Sequence, residues 1–314
     1  MRKTLWAVVL ASTLLGGLAG AEKFSFVAIG DMPYGEMAQF ENLIKAVNAA
    51  RPSFTVHVGD IKSGSSPCTD DYMLKIRDLF NTFAMPLVYT PGDNEWTDCH
   101  REKAGKFDPI ERLAFVRKTF FPGNQSFGAQ KMTLEQESAD PRFAKFVENQ
   151  RWSMGGVTFA TVHVVGSNNN LQRNAAAVNE YIERNAANLA WLESTFAKAT
   201  AEGAKALVLF QQADMMFEET NEDKRSGFTE TLALLKKKVK EFGKPVLLVH
   251  GDSHSFIVDN PWYSENDGSN LGNFTRLEVY GSARVHGVQV GIDTDTPGVF
   301  SFTPIMVPEN FAKK

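Results

Sequence analysis

Residues 86–95 read PLVYTPGDNE. A short apolar run breaks at Pro91 and Gly92, and two residues able to bind a metal and an acid follow. The same arrangement occurs at 24–31 (FSFVAIGD), 54–60 (FTVHVGD) and 245–252 (PVLLVHGD). Apolar runs this short, bounded by turn residues, read as buried strands. Each ends in a Gly-Asp pair, which places Asp31, Asp60, Asp93 and Asp252 just past a strand.

Between the runs lie helical patterns. MAQFENLIKAVNAA (37–50) puts Phe40, Leu43, Ile44 and Val47 on one face, and DYMLKIRDLFNTF (71–83) aligns Met73, Ile76, Phe80 and Phe83. The alternation resumes with a strand at 157–165, a helix near 175–200, a strand at 205–212, a helix near 228–242 and a strand at 245–251. Strands alternating with helices imply parallel pairing through crossover helices. The stretch 98–150 is polar, aromatic and weakly periodic, and reads as a partly helical insertion over the site. The tail from about 275 reads as antiparallel strands.

The 314 residues, 43% of them hydrophobic, suffice for one large α/β domain. The first 21 residues have a basic start at Arg2 and Lys3, an apolar middle and small residues Ala19 and Ala21. They predict a secretory signal peptide cut after Ala21, leaving 22–314 as a periplasmic or secreted domain with no transmembrane anchor. The formal net charge is −4 and becomes more negative once the leader is lost. Such a chain lacks the basic field that double-stranded nucleic acid requires. In an oxidising compartment, the only two cysteines, Cys68 and Cys99, read as a disulfide joining two site loops.

In open α/β sheets ligands bind beyond the carboxyl ends of the strands. Four acids gathered there repel one another, and a divalent cation is the common remedy. Glycine before each acid permits a tight or positive-φ turn that aims the next side chain into the crevice.

In these motifs the chain resembles the calcineurin-like metallophosphoesterases. GDMP (30–33), GDIKSG (59–64), GDNE (92–95), FQQAD (210–214) and GDSH (251–254) follow the order of that family's Asp-x-His, Gly-Asp, Gly-Asn-His-Asp/Glu, His and Gly-His-x-His signatures. The resemblance implies a four-layered α/β/β/α sandwich of two mixed sheets, metallo-dependent phosphatase-like. It also implies hydrolysis of a small phosphomonoester or phosphodiester by metal-activated water. Asp31, Asp60 and His254 fall on the family's ligands for a first ion, Asp60 being the bridging one. Asp93 replaces an Asn ligand, Gln211 or Gln212 a His, and Asp252 another His, while Pro33 stands where a His would ligate. An oxygen-rich set of this kind favours one or two Mn²⁺, Mg²⁺ or Ca²⁺ ions over an Fe/Zn pair. Asn94 occupies the place of the catalytic His and donates hydrogen bonds without supplying a proton. His100, Asp98 and His163 are the candidate acids. Glu95 reads either as a residue orienting Asn94 or a metal-bound water, or as a buried turn acid. The alternative function is a non-catalytic binding protein on the same fold, with a structural metal or none. His57 reads as a core residue, Trp96 as cleft wall or packing, Asn168 to Asn170 as phosphate contacts or a polar turn, and Lys236 to Lys240 as a solvated helix face.

Overall fold

The computed structural model describes residues 23–263 and 270–311. The predicted leader and its cleavage point lie outside the described residues.

Two mixed sheets pack face to face. The first is ordered β12-β11-β1-β2-β3, with β1 Phe24–Ile29, β2 Phe54–His57 and β3 Leu87–Tyr89 parallel, and β11 Gly287–Ile292 and β12 Phe300–Ile305 antiparallel. The second is ordered β4-β5-β6-β7-β8-β10-β9. Its parallel centre comprises β6 Val157–Thr161, β7 Ala206–Phe210, β8 Val246–His250 and β10 Phe274–Glu278. At its margins, β4 Glu135–Gln136, β5 Gln150–Met154 and β9 Ile257–Asp259 are antiparallel.

Both faces of each central strand are buried, which is why the strands read as unbroken apolar runs. In β1, Phe26 and Ala28 enter the core between the sheets while Val27 and Ile29 face the helices. In β7, Val208 and Phe210 face the other sheet, and Leu207 and Leu209 face the opposite helical layer. The inter-sheet core is rich in aromatics: Phe26 stacks on Phe54 at 5.2 Å, and Trp152 lies flat against Phe159 at 5.4 Å. α1 Met37–Ala50, α2 Asp70–Phe80 and α3 Pro109–Phe120 cover the first sheet. A single turn, α4 at Gly166–Asn169, precedes α5 Ala175–Ala201, which covers the second sheet with α6 Thr229–Phe242. The result is the predicted four-layered sandwich.

Two expectations differ. The tail is not wholly antiparallel, because β10 lies parallel to β8 in the second sheet. The long connection from β8 through β9 lets it return in the same direction. The 98–150 stretch is not a single excursion over the site. Residues 97–104 border the cleft, but α3 buries Val116 and Phe120 with α2 against the first sheet, and Phe127 exchanges backbone hydrogen bonds with Leu87. Aromatic residues had hidden an ordinary amphipathic helix there.

Candidate metal centre

The carboxyl ends of β1, β2, β3, β7 and β8 meet along one edge of the sandwich. There Asp60, Asp93 and Asp252 each offer a carboxylate oxygen, and the three oxygens lie within 4.8 Å of one another. Asp60 and Asp93 are buried. Among the described residues no Lys or Arg ion-pairs with any of the three. Asp31 is fully buried next to them and accepts from the backbone N–H of Asp252 at 3.1 Å.

Glycine serves this geometry in two ways. Gly59, at φ 99°, makes the expected turn before Asp60, while the other left-handed positions are the acids themselves: φ is 53° at Asp31, 58° at Asp60 and 79° at Asp252. Aspartate tolerates that region better than most residues. What Gly92 and Gly251 provide is close approach. A Cβ on Gly92 would collide with Asp60 Oδ1, and one on Gly251 with Asp31 Oδ2. The glycine of one loop makes room for the acid of another.

The electrostatic consequence is direct. Burial first, then the charge of Asp93, pushes the Asp60 carboxyl well above the usual range. Burial and the neighbouring Asp252 do the same to Asp31, and burial and Asp93 to Asp252. A divalent cation with hard oxygen ligands removes the strain that these shifts record. The donor set therefore fits such an ion. Gln212 borders the cluster but not as the expected ligand: its Nε2 donates to Asp60 Oδ2 at 3.2 Å while its oxygen accepts from Gly166 N at 2.6 Å. Gln211 turns away to the carbonyl of Ala213.

His254 Nε2 lies 3.7 Å from Asp31 Oδ1. Between His254 and Asp60 stands a residue that sequence reasoning missed. Tyr34 Oη is 3.2 Å from Asp60 Oδ2 and 3.2 Å from His254 Nε2, and accepts from Asn94 Nδ2 at 3.0 Å. Its only sequence signal is its position three residues beyond Asp31. Ser167 is the other unforeseen contact, donating to Asp93 Oδ2 at 2.7 Å and lying 3.1 Å from Asp98 Oδ1. Four successive left-handed residues, Ser167 to Asn170, deliver it. Asn168 and Asn169 bond to Gly227, and Asn170 to Glu180, so these amides build the turn.

Other expectations need correction. Both amide protons of Asn94 are engaged, by Asp60 Oδ2 at 2.7 Å and by Tyr34, so neither is free for a phosphoryl oxygen. Glu95 neither orients Asn94 nor faces the cleft. Fully buried, it accepts from Gly92 N, Asp60 N and Tyr89 Oη, as a turn acid does. His100 does not line the acid cleft and bonds the carbonyl of Thr97. His163 is buried against Glu148, and Trp96 packs with Leu113 and Val165. Asp98 does reach the cleft. Burial, reinforced by Asp93, lifts its carboxyl to about 7. His57 is a core histidine bonded to the carbonyl of Met32. Cys68 and Cys99 form a disulfide that joins the loops after β2 and β3. No described helix is long and apolar enough to cross a membrane.

No family model matches the chain, and no curated protein matches it in sequence. Similarity appears in three dimensions. PhoD superposes with a TM-score of 0.56 at 13% identity, over 91% of this chain and 69% of that one. A dimetal phosphatase from Danio rerio gives 0.53 at 10% identity, over 90% and 99%. GAP50, the anchor in the inner membrane complex of Plasmodium, gives 0.50 at 11%, over 91% and 89%. At such identities the likeness is one of fold alone, a metallo-dependent phosphatase-like sandwich of two mixed sheets.

Proposed function

We propose that this chain is an exported, metal-dependent phosphoric ester hydrolase acting on a small phosphomonoester or phosphodiester. The observation that carries the reading is the cluster of Asp60, Asp93 and Asp252, whose oxygens crowd within 4.8 Å with no cationic side chain among the described residues paired to them. Asp60, Asp93 and Asp252 would hold one divalent cation, and Asp31, His254 and Asp60 a second. Every donor but His254 is oxygen, which favours Mn²⁺, Mg²⁺ or Ca²⁺. When bound, such an ion supplies an activated water and offsets the negative charge developing on phosphoryl oxygens.

The chain's own residues order the cleft. Asn94 fixes Asp60 through its side-chain amide and its backbone N–H. Lys62, buried, ties the carbonyls of Ser63 and Asn94 together and so locks the second loop onto the third. Tyr34 donates its O–H to Asp60 and so sets that carboxylate beside His254. Export is supported by the disulfide, a bond that persists in oxidising compartments.

One observation favours a second reading, a non-catalytic module on the same fold. Proline and asparagine occupy positions 33 and 94, and the amide protons of Asn94 are already spent. The mature protein, stripped with chelator, should be titrated with Mn²⁺, Mg²⁺, Ca²⁺ and Zn²⁺ by calorimetry and assayed on a chromogenic monoester and diester. The hydrolase reading expects ion binding and turnover, both abolished in a folded Asp60→Asn variant. A folded wild type that binds ions without cleaving either ester supports the second reading.

A further inference from the structure

Beside the acid cleft, of about 660 Å³, lies a second depression of about 420 Å³. The two share Asp98, Arg101 and Ser167 as their dividing wall. Their chemistry is opposite. The first has a floor of carboxylates; the second is walled by His100, Arg101 and Arg173.

Arg173 is the telling group. Its terminal nitrogen donates to the carbonyl of Thr97 at 2.7 Å, its Nε is buried without a partner, and none of the described carboxylates ion-pairs with it. The carbonyl of Thr97 also takes His100 Nδ1 at 2.6 Å. That bond commits the Nδ1 proton to Thr97, so the donors facing the depression are the guanidiniums. Arg101 pairs with Asp98 at 2.7 Å, yet its side chain stays 48% exposed. A half-buried guanidinium with no ion-pair partner among the described residues, beside a second guanidinium, suits a tetrahedral oxyanion, which accepts from several forked donors at once.

We propose that this basic depression holds a second phosphoryl group of the substrate while the first lies over the acid cluster. The substrate class is then a compound with two phosphoryl groups, a diphosphate or a compact bisphosphate, of which one is cleaved and the other only bound. This deepens the hydrolase reading and rests on it.

The test uses the full mature chain loaded with Mn²⁺ and p-nitrophenyl phosphate as substrate. Inhibition constants are measured for methylenebisphosphonate and for methylphosphonate, and their ratio is compared between wild type and Arg173→Gln. Chelation of Mn²⁺ is common to both proteins and cancels in that comparison. We expect the wild type to prefer the bisphosphonate by about tenfold or more, as extra charge-assisted hydrogen bonds imply. Arg173→Gln should erase that preference and Arg173→Lys should restore part of it. A wild type with no preference, or a variant that keeps it, overturns the proposal. If Arg173→Gln does not fold, Arg101→Gln, at a position 48% exposed, should lower the ratio by about threefold. If p-nitrophenyl phosphate is not cleaved under any ion, the hydrolase reading fails by itself. Calorimetric binding of pyrophosphate to wild type and Arg173→Gln then decides the depression independently: heat lost in the variant supports it, and no heat in either overturns it.

Discussion

Tyr34 Oη lies 3.2 Å from Nε2 of His254, a residue 220 positions away in the chain. The same oxygen lies as close to Asp60, so the phenol links the loops after β1, β2 and β8 across the floor of the cleft. It has one proton and two acceptors in reach. That makes it the side chain through which the acid cluster and His254 communicate.

Replacing Tyr34 with Phe keeps the ring and deletes this link. With its hydrogen bond to Asp60 lost, kcat at fixed Mn²⁺ should fall by about 10-fold to 100-fold. Steady-state kinetics at fixed Mn²⁺ measures it, and an unchanged kcat removes Tyr34 from the reaction.

A methyl on Gly166 would sit 2.8 Å from Asp252 Oδ1 and 2.9 Å from Asp93 Oδ2. Gly166→Ala should therefore spread the two acids and weaken ion binding by about tenfold or more, since cation sites depend on ligand placement. Gly123→Ala, where a Cβ meets nothing within 4 Å, is the control and should bind ions like the wild type. Calorimetric titration of both variants checks this.

The disulfide closes a loop of 31 residues. Loop-closure entropy of that length corresponds to about 3–4 kcal/mol. Cys68→Ser with Cys99→Ser should lower the unfolding free energy in urea by that order. Reductant should then destabilise the wild type and leave the double variant unmoved.

Glu137 gives a pH dependence remote from the acid cluster. It is 3% exposed, accepts from Asn149 at 2.7 Å, and leaves Oε1 without a partner. Burial lifts its carboxyl to about 8, against about 4.3 in an unfolded chain. The folded state thus retains a proton that the unfolded state releases. Stability from this group is complete below about pH 4 and is lost as pH rises through about 8. Glu137→Gln should match the wild type near pH 4 and exceed it near pH 9, by an amount on the order of a few kcal/mol. Urea midpoints of both proteins across that range test the sign, and any shared contribution from the site acids cancels.

The fold was legible because its signal is local and repeated. The 24–29 strand and the 37–50 helix end where the periodicity says they should, since each strand and helix shows its buried face as apolar spacing. The parallel placement of β10 was not legible, because strand direction depends on the path of the connection and leaves no mark within the strand. Helix α3 was obscured by aromatic and charged residues whose burial only the neighbouring α2 explains.

The gathering of Asp31, Asp60, Asp93 and Asp252 could be read from four Gly-Asp pairs at strand ends, because parallel topology carries every such end to one edge. Which other side chains join them was decided in three dimensions. Tyr34, Ser167 and Arg173 have no motif; they arrive through a turn after β1, a left-handed turn after β6 and the approach to α5. Glu95 looked functional beside Asn94, yet folding turned it inward onto backbone N–H groups that no sequence displays. Spacing along a chain determines which faces are buried, whereas contact between distant loops is a property of packing, and the chemistry of this cleft depends on that contact.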